Sequence, residues 1–220
     1  NDILISGDTA YVSMEFGLSL INTEDLSFFD SILKFGDFTT ETPVFNVYLD
    51  DKIYVVTQAG IATNSRTNNN LIAPETWNNI YVDALPGINR ISDIINFGGE
   101  LFTATNNGLY VYENGVLDLK SNDGNDVFAL SIHEGSLYYL SNNAVHKYSG
   151  TSQAIFRFPG SFFSSLGFYG NSYLIGTENG LIEWTGSAPT IAVPHSPETN
   201  SSIELAVDSD HNLWIATVKE

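Results

Sequence analysis

The sequence predicts an all-β fold, a β-propeller with about five to six four-stranded antiparallel blades. A turn motif recurs every 36 to 48 residues, each time inside a three-stranded meander. The intervals between the meanders supply a fourth strand. No window holds the sustained 3.6-residue apolar period of an amphipathic helix. A repeat of about 40 to 45 residues with four short strands is typical of a propeller blade.

The clearest copy of the repeat is YLIGTENGLIEWTG, residues 173–186. Two β-prone runs flank the turn residues Glu178, Asn179 and Gly180, and Ser164–Tyr169 supplies the preceding strand. We call the position three residues before the turn glycine the slot, and in this copy it holds Thr177. The corresponding slots of the other copies hold Met14, Thr57, Thr105, Ser141 and Thr217.

The outer strands are expected near Leu26–Phe29 and at Val116–Lys120, Ala154–Phe158 and Thr190–Pro194. A blade buries its faces only against neighbouring blades, so we expect one domain over residues 1–220. The chain enters a strand at once and stops inside its sixth copy, so we expect part of a larger propeller. The repeat cores are predicted near 3–21, 45–63, 91–115, 127–150, 164–186 and 203–217.

A β-sandwich or a stack of hairpins is the rival fold, because it also places short strands at regular spacing. A sandwich has no reason to repeat the same turn and slot residues in phase. The phase of the repeat therefore favours the propeller, and the rival stays open.

Composition limits the classes of partner. The chain has 26 acidic and 8 basic residues, a formal net charge of -18. This balance argues against a nucleic-acid partner and against a bare anionic membrane surface. The absence of cysteine excludes disulfides and thiol catalysis but leaves the compartment open. No run of 18 apolar residues is present.

The longest insertion is 64–90, about twelve residues longer than the shortest repeat requires. Surplus loops on a repeat scaffold commonly carry binding. The candidate binding residues in this loop are Arg66, Asn70 and Trp77. A disordered loop is an equally good interpretation, and an exposed tryptophan would favour binding.

Motifs for catalysis or metal binding are weak. The Asx-rich segments 122–126 and 208–212 are better explained as tight turns than as calcium loops. No nucleophile elbow or phosphate loop occurs, so the sequence predicts no enzyme, no cofactor and no metal. Carboxylates from different blades that converge on the axis would leave no sequence spacing, and that alternative stays open. The histidines are expected to be structural: His133, His146, His195 and His211.

Two resemblances follow from the repeat. YGNSYLIGTENGLIEW and VDSDHNLWIATVKE resemble the two-component regulator propeller repeat, which implies a propeller and is compatible with an extracytoplasmic glycan sensor. NDILISGDTAYVSMEFGLSLIN, VFNVYLDDKIYVVTQAGIATN and NLIAPETWNNI are similar to the N-terminal propeller of the PorZ component of the type IX secretion system. That similarity covers residues 1–110 well.

The PorZ resemblance implies a non-enzymatic cell-surface protein, associated with the outer membrane. Its implied partners are a sortase and outer-membrane translocon components, with anionic lipopolysaccharide or an oligosaccharide as a further ligand. No site residue is carried over. The leading hypothesis is therefore a non-catalytic secretion scaffold. The alternative is the glycan-sensing propeller of a hybrid two-component regulator, which would be periplasmic, and a propeller lyase or hydrolase comes third.

Overall fold

The computed structural model describes residues 2–113, 116–121, 126–192, 202–209 and 212–217. This part of the chain forms five four-stranded antiparallel sheets and one two-stranded sheet. It also has two short 3-10 helices, Pro74–Thr76 and Val82–Ala84, and no helix in it is long and apolar enough to span a bilayer. The strands are β1 (Ile3–Ser6), β2 (Thr9–Met14), β3 (Gly17–Asn22), β4 (Phe28–Ile32), β5 (Val44–Leu49), β6 (Lys52–Thr57), β7 (Gly60–Ser65), β8 (Asn78–Tyr81), β9 (Ile91–Phe97), β10 (Glu100–Thr105), β11 (Gly108–Glu113), β12 (Val116–Ser121), β13 (Val127–His133), β14 (Ser136–Ser141), β15 (Ala144–Tyr148), β16 (Ser152–Arg157), β17 (Phe163–Tyr169), β18 (Ser172–Thr177), β19 (Gly180–Trp184), β20 (Thr190–Ala192), β21 (Ser202–Val207) and β22 (Leu213–Thr217).

Each four-stranded sheet is a meander whose strands pair in chain order. The sheets are blade 1 (β1–β4), blade 2 (β5–β8), blade 3 (β9–β12), blade 4 (β13–β16) and blade 5 (β17–β20), and β21–β22 is the sixth hairpin. The first strand of each blade contacts the first strand of the next, and β21 contacts both β17 and β1. The first strands therefore surround a common axis, which confirms the predicted propeller.

Apolar layers between neighbouring blades form the core. Leu18 and Ile32 of blade 1 pack with Val47 and Val55 of blade 2, and corresponding layers lie between the later blades. Side chains alternate between the two faces of a strand, so a blade presents one apolar layer to each neighbour. The burial of these layers is the main stabilising contribution.

The outer strands agree with the prediction except at the first blade. β12, β16 and β20 confirm the three later predictions, although residues 193 and 194 lie outside the described residues. In blade 1 the predicted start near Leu26 is wrong, because Leu26 lies in the turn between β3 and β4. There the Asn22 N–H donates to the Ser27 carbonyl at 2.8 Å, and β4 begins at Phe28.

The predicted insertion is not all surplus loop. β8 lies inside it as the outer strand of blade 2, with Gly60 opposite Tyr81 and Thr63 opposite Asn78. The insertion also supplies buried side chains to the core, among them Val82. What remains outside the sheet is two segments, 66–77 and 82–90, at opposite ends of β8.

A threonine hydroxyl closes the central hairpin of blades 2, 3 and 5. The hydroxyl donates to the carbonyl of the glycine three residues later at 2.9–3.0 Å. It also accepts the backbone N–H two residues later at 3.1–3.2 Å. In these three blades the slot residue of the sequence repeat is therefore the residue that fixes a two-residue turn. The pairs are Thr57 with Gly60, Thr105 with Gly108, and Thr177 with Gly180.

The turn glycine of blade 2 allows a close approach of the main chain. Gly60 has φ of 140°, and a Cβ atom there would lie 2.0 Å from the Ile80 carbonyl oxygen of the outer strand. Gly17 of blade 1 has φ of 143°, and its Cβ would lie 2.3 Å from the Ile32 carbonyl oxygen. Only glycine combines this conformation with this approach.

Replacing Gly60 by alanine is expected to lower the free energy of unfolding by about 2 kcal/mol or more, because both the conformation and the main-chain contact are violated. Urea denaturation measures the change. Gly167→Ala is the matched control, because the nearest neighbour of its Cβ would be the Leu174 Cβ at 4.0 Å. Equal losses in the two variants would contradict this interpretation of Gly60.

Replacing Thr105 by valine keeps the shape but removes the hydroxyl. We expect a loss of about 1–3 kcal/mol, because the Gly108 carbonyl and the Asn107 N–H lose a buried partner. Thr105→Ser keeps the hydroxyl and should lose less. A serine variant less stable than the valine variant would show that the methyl group, not the hydroxyl, is what matters.

Candidate functional site

Segment 66–77 leaves the end of β7 and carries all three predicted binding residues. Arg66 Nη1 donates to the Asp50 carbonyl at 3.3 Å, and Arg66 Nη2 donates to Ser6 Oγ at 3.1 Å. Arg66 therefore ties the segment to the first strand of blade 1. Asn70 is exposed, and its backbone N–H donates to Asn68 Oδ1 at 2.9 Å.

Trp77, the third predicted residue, lies in the core. Only 5% of it is exposed, and its ring meets Phe35 edge-on with centroids 5.1 Å apart. Its Nε1 donates to the Leu71 carbonyl at 2.8 Å. Trp77 anchors the segment from beneath and offers no surface for stacking. The exposed apolar residue of the segment is Ile72, at 51%.

A cavity of about 490 Å³ lies on the axis, between the first strands of blades 1 to 5. In blades 2 to 5 the first strand has one β-bulge, always at the equivalent position. The bulge lies opposite the end of the second strand that carries the slot residue. A bulge redirects the side chain of its extra residue. The extra residues all line the cavity, and they are Phe45, Ser92, Phe128 and Ser164.

Two carboxyl groups converge on this cavity from different blades. Asp2 Oδ2 accepts the Val47 N–H of blade 2 at 3.3 Å and the Asn46 Nδ2 at 3.2 Å. Asp93 Oδ2 accepts the Leu130 N–H of blade 4 at 2.6 Å. Each carboxyl thus bridges to the first strand of the following blade. The convergence that the sequence left open is therefore present.

The pKa values of both carboxyls are raised by burial. Asp93 is 8% exposed, and loss of solvation raises its pKa to about 8, although the hydrogen bonds from the Leu130 and Ile94 N–H groups lower it. The nearby Asp2 charge contributes to this rise. Loss of solvation raises the pKa of Asp2 to about 6, opposed by the Val47 and Ile3 N–H groups. Both carboxyls therefore hold their protons to a higher pH than a solvated aspartic acid does.

Polar groups with different roles lie beside the two carboxyls. Arg90 pairs with Asp126 at 2.9 Å and lies 5.3 Å from the centroid of the Phe128 ring. Asn46 Oδ1 is buried and has no hydrogen-bond partner among the described residues. The two carboxyls themselves accept hydrogen bonds from backbone N–H groups of the neighbouring blades.

The histidines that the structure describes have packing contacts. His133 stacks on Phe168 with centroids 4.2 Å apart, and His146 stacks on Tyr139 at 4.6 Å. His146 Nε2 also lies 2.7 Å from Ser141 Oγ. His195 and His211 lie outside the described residues, as does most of segment 122–126.

The described ends of the Asx-rich segment 208–212 are hydrogen-bonded to each other, and residues 210 and 211 lie outside the described residues. The Asn212 N–H donates to Asp208 Oδ1 at 2.9 Å, and the Asp208 N–H donates to the Asn212 carbonyl at 3.1 Å. Within the described ranges, no three His, Cys, Asp or Glu side chains lie close enough together to hold a metal ion.

Sequence reasoning did not identify Asp2 or Asp93. The strand pairing places both residues at an equivalent position of their blades. Asp2 directly precedes Ile3, which pairs with Val12 in blade 1, and Asp93 pairs with Ala104 in blade 3. The equivalent position holds Asn46 in blade 2 and Ser165 in blade 5. An alignment of the first strands of the blades, with the slot residues as the reference positions, would have shown the polar residues at this position.

A known protein family matches the first third of the chain. Residues 1–78 match the model of the PorZ N-terminal beta-propeller domain of the type IX secretion system. No curated protein sequence matches the chain.

The solved structures show the fold. The extracellular domain of the putative hybrid two component system BT4673 from B. thetaiotaomicron is 20% identical over 98% of this chain and 31% of its own, with a TM-score of 0.71. PorZ of Porphyromonas gingivalis is 20% identical over 90% of this chain and 26% of its own, with a TM-score of 0.63. The virginiamycin B lyase from Staphylococcus aureus is 15% identical over 98% of this chain and 76% of its own, with a TM-score of 0.71. The chain thus spans less than a third of the first two structures.

Asp93→Asn is expected to reduce the pH dependence of stability. The folded-state pKa of Asp93, about 8, exceeds the usual 3.8, so its stabilisation is complete below pH 3.8 and is lost as pH rises through 8. The wild-type free energy of unfolding should fall between pH 6 and 8 by up to about 1.4 kcal/mol per pH unit from this group.

Urea denaturation at pH 5.5, 7.0 and 8.5 measures the difference between the wild type and the variant. Asp2→Asn is the matched control and should act mainly below pH 6, where Asp2 titrates. The same slope between pH 6 and 8 in wild type and Asp93→Asn would contradict the assignment.

Proposed function

We propose that the chain is a non-catalytic β-propeller scaffold of a PorZ-like type IX secretion component, acting by protein contacts at the cell surface. The family match over residues 1–78 carries the proposal, because it spans blade 1 and segment 66–77. The solved PorZ is described as an essential bacterial surface component of that system. The proposed partners are a sortase and outer-membrane translocon components.

Rigid display of segment 66–77 is the proposed mechanism. Arg66 fixes one end of the segment to blade 1, and Trp77 fixes the other in the core. Between these anchors Asn70 and Ile72 stay exposed. A segment ordered before binding loses less conformational entropy when a partner docks. The proposed contact residues are Arg66 and Asn70, with Trp77 as their support.

Anionic lipopolysaccharide is a further proposed ligand, but the charge of the chain favours proteins. A chain with a net charge of -18 repels an anionic surface at long range. Contact with such a ligand requires a local basic group or bridging cations. Arg66 is a basic group on the display segment, and its guanidinium is already bonded to blade 1.

The second candidate is an extracytoplasmic sensor propeller that binds an oligosaccharide, and the axial cavity favours it. The bulge residues give the cavity both aromatic and hydroxyl side chains, groups that can stack on a sugar ring and hydrogen-bond to it. The TM-score of 0.71 to the BT4673 domain agrees with this alternative as far as the fold is concerned.

A catalytic role has less support than either. The likeness to the lyase is 15% identity and concerns the fold. Both oxygens of Asp93 accept backbone N–H groups, so that carboxyl is used as a bridge between blades. We therefore propose a binding protein in preference to a lyase or hydrolase.

A pull-down from solubilised outer membranes, with the chain as bait and mass spectrometry as the readout, tests the proposal. Enrichment of a sortase and translocon components is expected. Asn70→Ala combined with Ile72→Asp should lose them, because both residues are exposed on the display segment. Deletion of 64–90 is unsuitable, because it would remove β8 and Trp77.

Ile191→Asp is the matched control, since Ile191 is 50% exposed and Ile72 is 51% exposed. Equal loss in the control would show that the segment is not the contact. Capture of an oligosaccharide without proteins would favour the sensor, and capture of neither would contradict both proposals.

A further inference from the structure

A second cavity, of about 760 Å³, lies between blades 2 and 3 and is separate from the axial cavity, because no residue lines both. Tyr54 of β6 and Tyr112 of β11 line it from the two blades. Ile80 of β8 and Leu101 of β10 contribute apolar side chains to its wall. The other lining residues are mostly polar, so the cavity joins aromatic, apolar and polar groups.

A comparison of equivalent positions in blades 2 and 4 explains why this cavity exists. Tyr54 pairs with Thr63 in blade 2, and the equivalent pair in blade 4 is Tyr138 with Lys147. Both tyrosines lie three residues before the slot of their blade. Each tyrosine packs towards the following blade, as the apolar clusters show. The two tyrosines therefore have the same place in the fold and can be compared directly.

Tyr138 is covered by large side chains. The rings of Phe168 and Tyr173 in blade 5 have their centroids 5.1 and 5.6 Å from that of Tyr138. Lys147 Nζ lies 5.6 Å from the centroid of the Tyr138 ring. These three side chains fill the interface between blades 4 and 5 at this position.

Tyr54 meets smaller side chains at the same places. Asn96 and Leu101 of blade 3 form the strand pair that is equivalent to Phe168 and Tyr173, and Thr63 takes the place of lysine. Within the described residues, the Tyr54 ring meets one other aromatic ring, that of Tyr48 in its own blade, with centroids 6.2 Å apart. Three shorter side chains thus open the cavity beside a half-buried tyrosine.

Polar groups with unused hydrogen-bonding capacity surround the two tyrosines. Within the described part of the chain, the side chains of Lys52, Thr63 and Asn78 have no hydrogen-bond partner. The ammonium group donates, and the hydroxyl and the amide both donate and accept. Asn96 on the opposite wall is held in place, because its Nδ2 donates to Asp50 Oδ2 at 2.8 Å. The cavity therefore suits a ligand that both donates and accepts hydrogen bonds.

The charges around the cavity disfavour an anionic ligand. Glu100 and Glu113 line it, and Lys52 is the one basic residue in the described lining. The net charge of -18 adds a repulsive field. A cationic ligand would meet Lys52, and Glu100 already has Lys120 Nζ at 3.8 Å. A neutral ligand avoids both conflicts.

We propose that the cavity between blades 2 and 3 binds a neutral oligosaccharide. A pyranose ring has C–H groups on its faces, which pack on aromatic rings, and hydroxyls at its edge, which both donate and accept. Tyr54 and Tyr112 supply the aromatic surface, and Thr63 and Asn78 supply hydrogen bonds. An aromatic side chain of a partner protein would pack on the tyrosines but would not use the polar groups. The inference is independent of the proposed secretion role.

An array of immobilised oligosaccharides tests the inference. It carries neutral chains of glucose, mannose, galactose and xylose beside chains of uronic acids. The purified chain is expected to bind at least one neutral series and none of the acidic ones. Isothermal titration calorimetry with the bound oligosaccharide then gives the dissociation constant for the wild type and the variants.

Thr63→Lys fills the cavity with the residue that blade 4 has at the equivalent position. Its ammonium group should cover Tyr54 as that of Lys147 covers Tyr138. We expect binding to weaken by about tenfold or more, because the lysine occupies the space of the ligand. The melting temperature should not fall, so that loss of binding is separated from loss of folding.

Asn78→Ala should weaken binding by about fivefold, because it removes one hydrogen-bonding group. Gln153→Ala is the matched control and should leave binding unchanged. Gln153 pairs with Lys147 in blade 4 as Asn78 pairs with Thr63 in blade 2, and both side chains belong to exposed residues.

Absence of binding to every neutral series, or a preference for the acidic ones, would overturn the inference. Sugar binding that survives Thr63→Lys would overturn it in favour of another surface, such as the axial cavity. Binding of a glycine–tryptophan–glycine peptide in place of sugar, lost in Thr63→Lys, would overturn it in favour of a partner's side chain. Thr63 lies outside segment 66–77, so a failed membrane pull-down and a failed array are separate outcomes.

Discussion

In blades 2, 3 and 5 the threonine hydroxyl that closes the central hairpin is the contact on which the other features of the blade depend. It holds the turn at two residues, and the turn length sets the register of the second and third strands. A slip of one residue would turn every apolar side chain of a strand to the wrong face. The apolar layers between blades therefore follow from a contact that involves no neighbouring blade. Blade 4 reaches the same register differently: Asn142 takes φ of 46° in the turn, and Ser141 bonds His146.

The fold was predictable because its determinants are local. A slot threonine, two turn residues and a glycine lie within four positions, so their repetition is visible in one sequence. The axial site was not, because Asp2 and Val47 lie 45 positions apart and meet only after two blades have packed. The burial of Trp77 was missed for a related reason: the Phe35 ring that covers it belongs to the link between blades 1 and 2. β8 was missed because NNIY lacks the alternation of the other outer strands.

The features with a bearing on function concentrate in the first two blades, the part that matches the secretion family. There Arg66 joins blade 2 to blade 1, Trp77 supports the display segment, and β4 exposes Phe28 and Phe29. The later blades are more regular, and their polar contacts serve packing, as with His133 on Phe168. A scaffold needs this division, because regular blades supply rigidity while irregular ones supply specificity. The axial cavity is the exception, since the first strands of all five blades build it.

The two axial carboxyls also tie neighbouring blades together at the axis. Asp2 joins blade 1 to blade 2, and Asp93 joins blade 3 to blade 4. At the boundary after blade 4 the same register position holds Ala129, which has no polar side chain. Repeat arrays unfold according to the strength of each interface between neighbours. We therefore expect the two amides that donate to these carboxyls, Val47 and Leu130, to exchange with deuterium only when the neighbouring blade separates from them.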